Sequence, residues 1–364
     1  MFKFDFDIED ADEALGDNTT TIFQKTGDKE TTEAQPFSEI PISQLLDALP
    51  SLISYSPLSV PLSSGKYLNI VRRDLFDARF QLISESEGEP KAEDEALSAL
   101  DFIEAPSDLI PGVYEGGLKT WECSIDLVDH LSNAPEIRDL HGKRVLEIGC
   151  GTAIPSLYLL LQLFSSNPGT KETHIHLQDY NTSVLELVTL PNVLLNWYMS
   201  SSAAAYHETQ DSSAAPDPCT PSELPITSEL KQAFLQSLKE RKISIRFFSG
   251  SWETFEVFAS GGKYNIVLTS ETMYETRSLP WLITLMKSAC EQSLEDLASS
   301  QLSLKSHVGI PCLCLVAAKV LYFGVGGGVA EFLSALKDHG GQGETVWEQK
   351  QGVGRKIIQV RWNT

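Results

Sequence analysis

The stretch Val145-Leu146-Glu147-Ile148-Gly149-Cys150-Gly151-Thr152 opens on an apolar run that reads as a buried parallel strand. It ends in Gly-x-Gly and passes directly into residues 153–164, which have the composition of a helix. A strand, a tight glycine turn and a helix N-terminus make a nucleotide-binding corner. Glycines let a ligand approach the backbone, and the free amides at the helix start favour electron-rich groups. The dinucleotide fingerprint requires a third glycine three positions after the second, and Ile154 stands there instead. The pattern fits a nucleoside-type cofactor without a pyrophosphate, for which S-adenosyl-L-methionine is the candidate, and disfavours an NAD dehydrogenase.

Outward from this corner, strand and helix patterns alternate from Asp108 onward. The expected strands are Arg144–Gly149, His174–Asp179, Ile243–Ser249, Tyr264–Ser270, Cys312–Lys319, Thr345–Lys350 and Lys356–Trp362. Helical patterns at Trp121–Leu131, Ala153–Phe164, Val184–Tyr198, Pro280–Leu297 and Val329–Asp338 lie between most of them. Such alternation implies an α/β fold with a mostly parallel sheet covered by helices on both faces. The last two strands lack an intervening helix, which predicts a C-terminal hairpin with at least one antiparallel member. Seven strands ending this way match the Rossmann-like seven-stranded methyltransferase architecture. Residues 108–364 are therefore expected to form the cofactor-binding domain, interrupted by a flexible, solvent-exposed Ser- and Ala-rich insertion at 200–225. Residues 1–107 read as an acidic, partly disordered extension. Within it, Phe2, Phe4, Phe6 and Ile8 alternate like a half-buried strand, and Tyr67–Arg72 and Arg79–Ser84 look strand-like.

The 364 residues include 50 acidic and 28 basic side chains, a formal net charge of −22, and 42% are hydrophobic, enough for a sizeable core. That charge repels phosphate backbones and attracts a basic protein, so direct nucleic-acid binding is not expected; acidic tails that merely aid solubility are the alternative. Six scattered cysteines show no disulfide or zinc framework, and Cys312-x-Cys314 reads as a pair of small core residues. No metal site is expected. The N-terminus lacks a signal peptide's apolar core, and no run of about 18 apolar residues appears, so a soluble, intracellular protein with no membrane partner is expected. Monomer is the default state.

Ligands of open parallel sheets bind outside the carboxyl ends of the strands. The first strand contributes Gly149 and Gly151. The second contributes Gln178, Asp179, Tyr180 and Asn181, where the acidic group suits two ribose hydroxyls; a helix N-cap role is the alternative for Asp179. The third ends in Ser249, Gly250, Ser251 and Trp252, an aromatic wall for a base or ordinary core packing. The fourth ends in Ser270 and Glu271-Thr-Met-Tyr274, facing the reactive end of a cofactor or its acceptor, with a helix cap as the alternative for Glu271. Upstream, Gly116 and Gly117 permit a bend before Trp121 and Glu122, which can close over the cofactor. The second glycine loop, 322–328, lacks the Lys-Ser or Lys-Thr of a phosphate loop and reads as a lip for the acceptor.

Glu115-Gly-Gly-Leu-Lys-Thr-Trp-Glu-Cys123, Gln178-Asp-Tyr-Asn181, Glu186-x-Val-Thr-Leu-Pro-Asn-Val193, Ser249-Gly-Ser-Trp252, Thr269-Ser-Glu-Thr-Met-Tyr274 and Tyr322-Phe-Gly-Val-Gly-Gly-Gly328 occur in one order. Together they resemble the eukaryotic histidine protein methyltransferase family, from about Asp108 to the C-terminus. The resemblance implies an S-adenosylmethionine-dependent enzyme that methylates one histidine ring nitrogen of a large-subunit ribosomal protein, in cytoplasm and nucleus. It also implies that Thr120, Trp121, Glu122, Cys123, Ser124, Gly149, Gln178, Asp179, Tyr180, Asn181, Ser249, Gly250, Ser251, Trp252 and Ser270 line the cofactor. Selecting the correct imidazole tautomer requires an acceptor for the other ring N–H, and Glu271 or Asn181 is expected in that role. A lysine methyltransferase of the same group is the alternative within the class. A cofactor-binding assembly factor for a basic ribosomal protein is the alternative outside it.

Overall fold

Val145, Leu146 and Ile148 are all fully buried although neighbours on a strand face opposite ways, a pattern that only a central strand covered on both faces permits. The same holds for Leu313, Leu315 and Ala317 on one face and Cys314, Val316 and Ala318 on the other. The structure is a computed structural model that describes residues 34–86, 116–210, 216–291, 311–322 and 326–362. The strands are β1 (Ser38–Ile40), β2 (Leu52–Pro61), β3 (Tyr67–Arg73), β4 (Arg144–Ile148), β5 (Thr173–Asp179) and β6 (Ser222–Pro225). They continue with β7 (Ile243–Ser249), β8 (Ile266–Ser270), β9 (Leu313–Lys319), β10 (Gly341–Gln349) and β11 (Arg355–Trp362). The first helices are α1 (Ile42–Asp47), α2 (Leu75–Ser86), α3 (Glu122–Asn133) and α4 (Ile154–Ser165). Next comes α5 (Leu190–Tyr198), entered through Thr182–Val184 and a π-helical stretch, Leu185–Thr189. After it come α6 (Ala204–Thr209), α7 (Ser228–Arg241), α8 (Leu279–Cys290) and α9 (Val329–Asp338).

The main sheet has the order β1-β7-β5-β4-β8-β9-β11-β10. β7, β5, β4, β8 and β9 are parallel, while β11 runs antiparallel to β9 and pairs with β10 in a hairpin. This is the expected seven-stranded methyltransferase fold with its C-terminal antiparallel hairpin. The chain leaves β4 toward β5 and β7, then returns to build β8 and β9 on the other side. The crevice between β4 and β8 is thus the switch point at which such sheets bind ligands.

Several expectations change. An eighth strand, β1, caps the sheet beside β7, three residues too short to read by periodicity. Arg79–Ser84 is helical rather than extended, as part of α2. The 200–225 stretch is not a bare flexible insertion. It forms α6, and β6 pairs with β2 in a separate three-stranded sheet, β3-β2-β6, because Leu224 is an apolar residue the core can bury. Gln35–Thr364 is one compact unit, so residues 35–86 of the extension belong with the sheet. The Phe2–Ile8 pattern lies outside the described residues. Cys314 is buried and Cys312 packs against the same core cluster as Cys290. Among the described residues no helix is long and apolar enough to cross a membrane, and no cluster suits a metal ion.

The small sheet is pinned to the cofactor side of the fold by α5. Asn196 accepts from Val71 N–H at 3.2 Å and donates to Val71 C=O at 2.6 Å, and Asn192 accepts from Arg73 N–H at 2.7 Å. Two side-chain amides thereby close the edge of β3. Asn196→Ala leaves a buried N–H and C=O unpaired and is expected to lower unfolding free energy by about 2–4 kcal/mol in urea titrations. A loss within error of zero would show that the edge is satisfied some other way.

Candidate cofactor and acceptor site

The glycine corner is shaped by close approach. Gly149 and Gly151 have φ of 62° and 50°, and a Cβ on Gly149 would stand 2.5 Å from the Thr272 methyl. Ala153, at φ 58°, starts α4 from the left-handed region, a strained position for a residue with a side chain. Ile154, in place of a third glycine, is fully buried in the core. Thr189 in the π-helical stretch donates to Gly151 C=O at 2.7 Å, and Asn192 donates to Thr152 C=O at 3.1 Å. A π-helical turn at a functional site is a recurrent device, and here it brings Thr189 against the corner.

Gln178 and Asp179, at the end of β5, organise the neighbouring strand ends. Gln178 is fully buried; its Oε1 accepts from Gly149 N–H at 3.1 Å and from the Trp252 indole at 2.9 Å, and its Nε2 donates to Gly250 C=O at 2.9 Å. Asp179 accepts from Gly151 N–H at 2.9 Å through Oδ2 and from Asn181 N–H at 3.1 Å through Oδ1. Its carboxylate faces a cleft bounded by the carboxyl ends of the central strands.

On the β8–β9 side of the same cleft, Glu271 follows Ser270 with φ 57°, a second side-chain-bearing residue in the left-handed region. Its Oε1 accepts from Cys123 N–H at 3.1 Å, and its Oε2 lies 3.4 Å from Lys319 Nζ. Oε2 is buried and accepts no hydrogen bond among the described residues. Lys319 Nζ also sits 4.7 Å from the centroid of the Trp121 ring. Burial, and then the Glu271 charge, push the Cys123 thiol and the Tyr322 hydroxyl well above their usual ranges, so both stay neutral.

Of the residues singled out from sequence, Gly116, Gly117, Trp121, Ser124, Gly149, Gly151, Asp179, Tyr180, Ser251, Trp252, Ser270, Glu271, Tyr274 and Tyr322 line this cleft. Thr120, Glu122, Cys123, Gln178, Asn181, Ser249 and Gly250 do not, each for a visible reason. Glu122 points outward to Arg355 at 3.2 Å, and the buried Cys123 contributes its backbone N–H. Thr120 bonds the Thr152 hydroxyl at 3.1 Å. Gln178 works behind the wall. Asn181 donates to Gly116 C=O at 3.2 Å, bracing the glycine bend rather than facing an acceptor. Ser249 pairs with Ser38 of β1, and Gly250 lies against the Pro36 carbonyl, where a Cβ would clash.

Sequence reading assigned no site role to Lys119, Glu275, Ser278 and Trp281, which line the cleft, or to Lys319 behind it. Lys319 closes an apolar strand, where a lysine ordinarily ends in solvent. Trp281 is spaced like a helix core residue. In the described part of the second glycine loop, Gly327 lies against the Met273 and Tyr274 carbonyls too closely for a Cβ. Residues 323–325 of that motif, like Tyr114 and Glu115, lie outside the described residues.

The arrangement suits S-adenosylmethionine. A glycine corner admits backbone contact, a strand-end carboxylate offers acceptors to a diol, an indole forms a wall, and the buried Ile154 removes the pyrophosphate seat. The chain is similar to histidine protein methyltransferase 1 of Saccharomyces cerevisiae, with 35% identity over 275 residues, covering 74% of this chain and 69% of that protein. It is 34% identical over 323 residues to histidine protein methyltransferase 1 of Schizosaccharomyces pombe, covering 86% and 83%. Among solved structures, magnesium protoporphyrin IX methyltransferase from Synechocystis with bound SAH aligns at 10% identity and a TM-score of 0.35, covering 78% of this chain and 94% of that one. No family profile matches the chain.

One further acidic group underlies the corner. Glu147 is wholly buried, and burial raises its carboxyl to about 8, against the opposing effect of Ser156, whose N–H donates to Oε2 at 2.9 Å. A folded-state pKa above the ordinary 4.5 means that the unfolded chain binds fewer protons in this window. Stability should therefore fall by about 1.4 kcal/mol per pH unit between roughly pH 4.5 and 8, and level off above. Glu147→Gln is expected to flatten that part of the stability–pH curve; a curve parallel to the parent's would refute the assignment.

Proposed function

The chain belongs to the histidine protein methyltransferase family, and from that premise we propose that its acceptor is a histidine of a basic, large-subunit ribosomal protein. It is an S-adenosylmethionine-dependent protein-histidine methyltransferase. The observation that supports the finer reading is the pairing of a net charge of −22 with a cleft that the Glu271 carboxylate lines, one of its oxygens, Oε2, accepting no hydrogen bond among the described residues. The charge draws in a basic partner; the oxygen suits an imidazole N–H. Cytoplasm and nucleus are the proposed compartments, in keeping with six free cysteines.

When bound, the cofactor supplies a methyl group already activated on a sulfonium. Asp179 is placed to accept from the ribose hydroxyls, with its carboxylate oriented by Gly151 and Asn181 amides. Trp252, fixed by Gln178, walls the base. Trp121 and Glu271 bound the acceptor end. A neutral imidazole presents one lone pair and one N–H. The Glu271 carboxylate would accept that N–H, leaving the lone pair of the other nitrogen free, and would take up the proton as positive charge develops on the ring. Much of the rate enhancement would come from this alignment.

Incubation with labelled S-adenosylmethionine and unmodified large-subunit ribosomal proteins, followed by acid hydrolysis and amino-acid analysis, tests the reading. Labelled methylhistidine is expected. Methyllysine would favour the lysine alternative, and no labelled protein would sink the ribosomal assignment. Asp179→Ala is expected to weaken cofactor binding at least tenfold by calorimetry, the worth of hydrogen bonds to a charged group. Glu271→Gln should lower kcat at least tenfold with cofactor affinity within about twofold. Unchanged turnover with cofactor binding intact removes Glu271 from the mechanism.

A further inference from the structure

A carboxylate set among aromatic rings is a cation trap: Coulomb attraction and the ring quadrupoles both favour an ammonium or imidazolium. Glu271 beside Trp121, with Tyr274 and Tyr322 in the same cleft wall, has that composition. Lys319 changes its charge. The ammonium is 3.4 Å from Glu271 Oε2 and 4.7 Å from the Trp121 ring centroid, so it engages both cation-attracting elements from behind the wall without lining the cleft. Its place is fixed: it ends β9, pairs in register with Arg355, and its backbone N–H donates to the Tyr322 hydroxyl at 3.3 Å.

The surrounding charges do not duplicate it. Arg355, the neighbouring cation on β11, is engaged by Asp126 at 2.5 Å and Glu122 at 3.2 Å. The Cys123 thiol and the Tyr322 hydroxyl are neutral. Lys119 and Glu275, elsewhere in the cleft wall, are opposite in sign. With Lys319 the Glu271 carboxylate has a cation beside it; without it, a carboxylate with only 4% of its side chain exposed loses that cation.

We propose that Lys319 is a specificity-determining positioning residue, whose ammonium keeps the acceptor end from taking cationic side chains and so selects neutral imidazole over imidazolium and over the lysine ammonium. The inference rests on the histidine reading above. Imidazolium has no lone pair to methylate, and a lysine ammonium must first lose a proton. A site that attracted either would fill with unreactive species. Glu271 remains the hydrogen-bond acceptor; Lys319 acts through it.

The test separates charge from shape. Full-length protein loaded with S-adenosylhomocysteine is titrated at pH 8.5 with 1,3-dimethylimidazolium, a permanent cation, and with neutral 1-methylimidazole, following tryptophan fluorescence. Lys319→Met is expected to bind the cation at least tenfold more tightly than the parent, with 1-methylimidazole changed less than threefold. Lys319→Arg should match the parent. In parallel, the acid limb of kcat for methylhistidine formation on the unmodified ribosomal protein fraction should move up by about one pH unit in Lys319→Met and stay put in Lys319→Arg. Equal cation affinity in all three proteins overturns the proposal, as does an arginine variant that behaves like the methionine one. Should Lys319→Met fail to fold by circular dichroism, Lys319→Gln carries the same expectations. If the parent forms no methylhistidine, the function fails on that assay alone, and the cation titration still judges the charge assignment separately.

Discussion

The cofactor side of the cleft depends on one buried amide. Gln178 holds three groups from two neighbouring strand ends: the Gly149 N–H after β4, and the Gly250 carbonyl and Trp252 indole N–H after β7. Each of these is a buried or half-buried polar group that would otherwise lose its partner, at about 1–3 kcal/mol apiece. An amide carries a donor and an acceptor, and a carboxylate in its place would have no hydrogen for Gly250. Because Gln178 immediately precedes Asp179, the residue that aims the wall also fixes the strand end from which the carboxylate projects.

Further supports reach this hub from outside the parallel sheet. From one side, the π-helical stretch and α5 press Thr189 and Asn192 onto the Gly151 and Thr152 carbonyls while Asn192 and Asn196 hold the edge of β3. The small sheet β3-β2-β6 is therefore mechanically continuous with the glycine corner. From the other side, Gln35–Phe37 straps the loop after β7. Ser251 N–H donates to Gln35 C=O at 3.0 Å, Phe37 N–H donates to Thr254 Oγ1 at 2.9 Å, and the Phe37 ring stacks on Phe248 at 5.4 Å. The segment before the parallel sheet thus contributes directly to the geometry of the cofactor wall.

Much of this was legible in the sequence because it is set by local chemistry. The alternation of apolar runs and helices specified the parallel strands, and the absent third glycine at Ile154 specified the class of ligand. What escaped depends on contacts between distant segments. β1 is three residues long, and its burial rests on a single side chain, Ile40. β6 lies in a Ser- and Ala-rich stretch and exists because β2 offers it an edge. Among site residues, sequence could mark Gln178 as belonging to the strand end, but not that its amide is buried behind the wall, nor that Asn181 spends its amide on the Gly116 carbonyl. Lys319 was passed over for a related reason: a lysine closing a strand is ordinarily a solvated end, and only the fold brings Glu271 and Trp121 to it.

The two electrostatic scales of the molecule then impose opposite demands. At long range, a net charge of −22 gathers basic proteins, and with them many lysines for every histidine. Beyond a Debye length of about 8 Å that attraction is largely screened, so it concentrates partners near the surface without orienting any side chain. Inside the cleft, where screening is weak, an anionic aromatic pocket would continue to favour the commonest cation delivered to it. A compensating charge set behind the pocket resolves the conflict without filling the space an imidazole needs. A second carboxylate could not do so, and a neutral residue at position 319 would leave Glu271 to pair with whatever cation arrived. The acidic surface and the Lys319–Glu271 pair are therefore complementary: the stronger the surface attracts lysine-rich chains, the more the acceptor end needs a resident cation of its own.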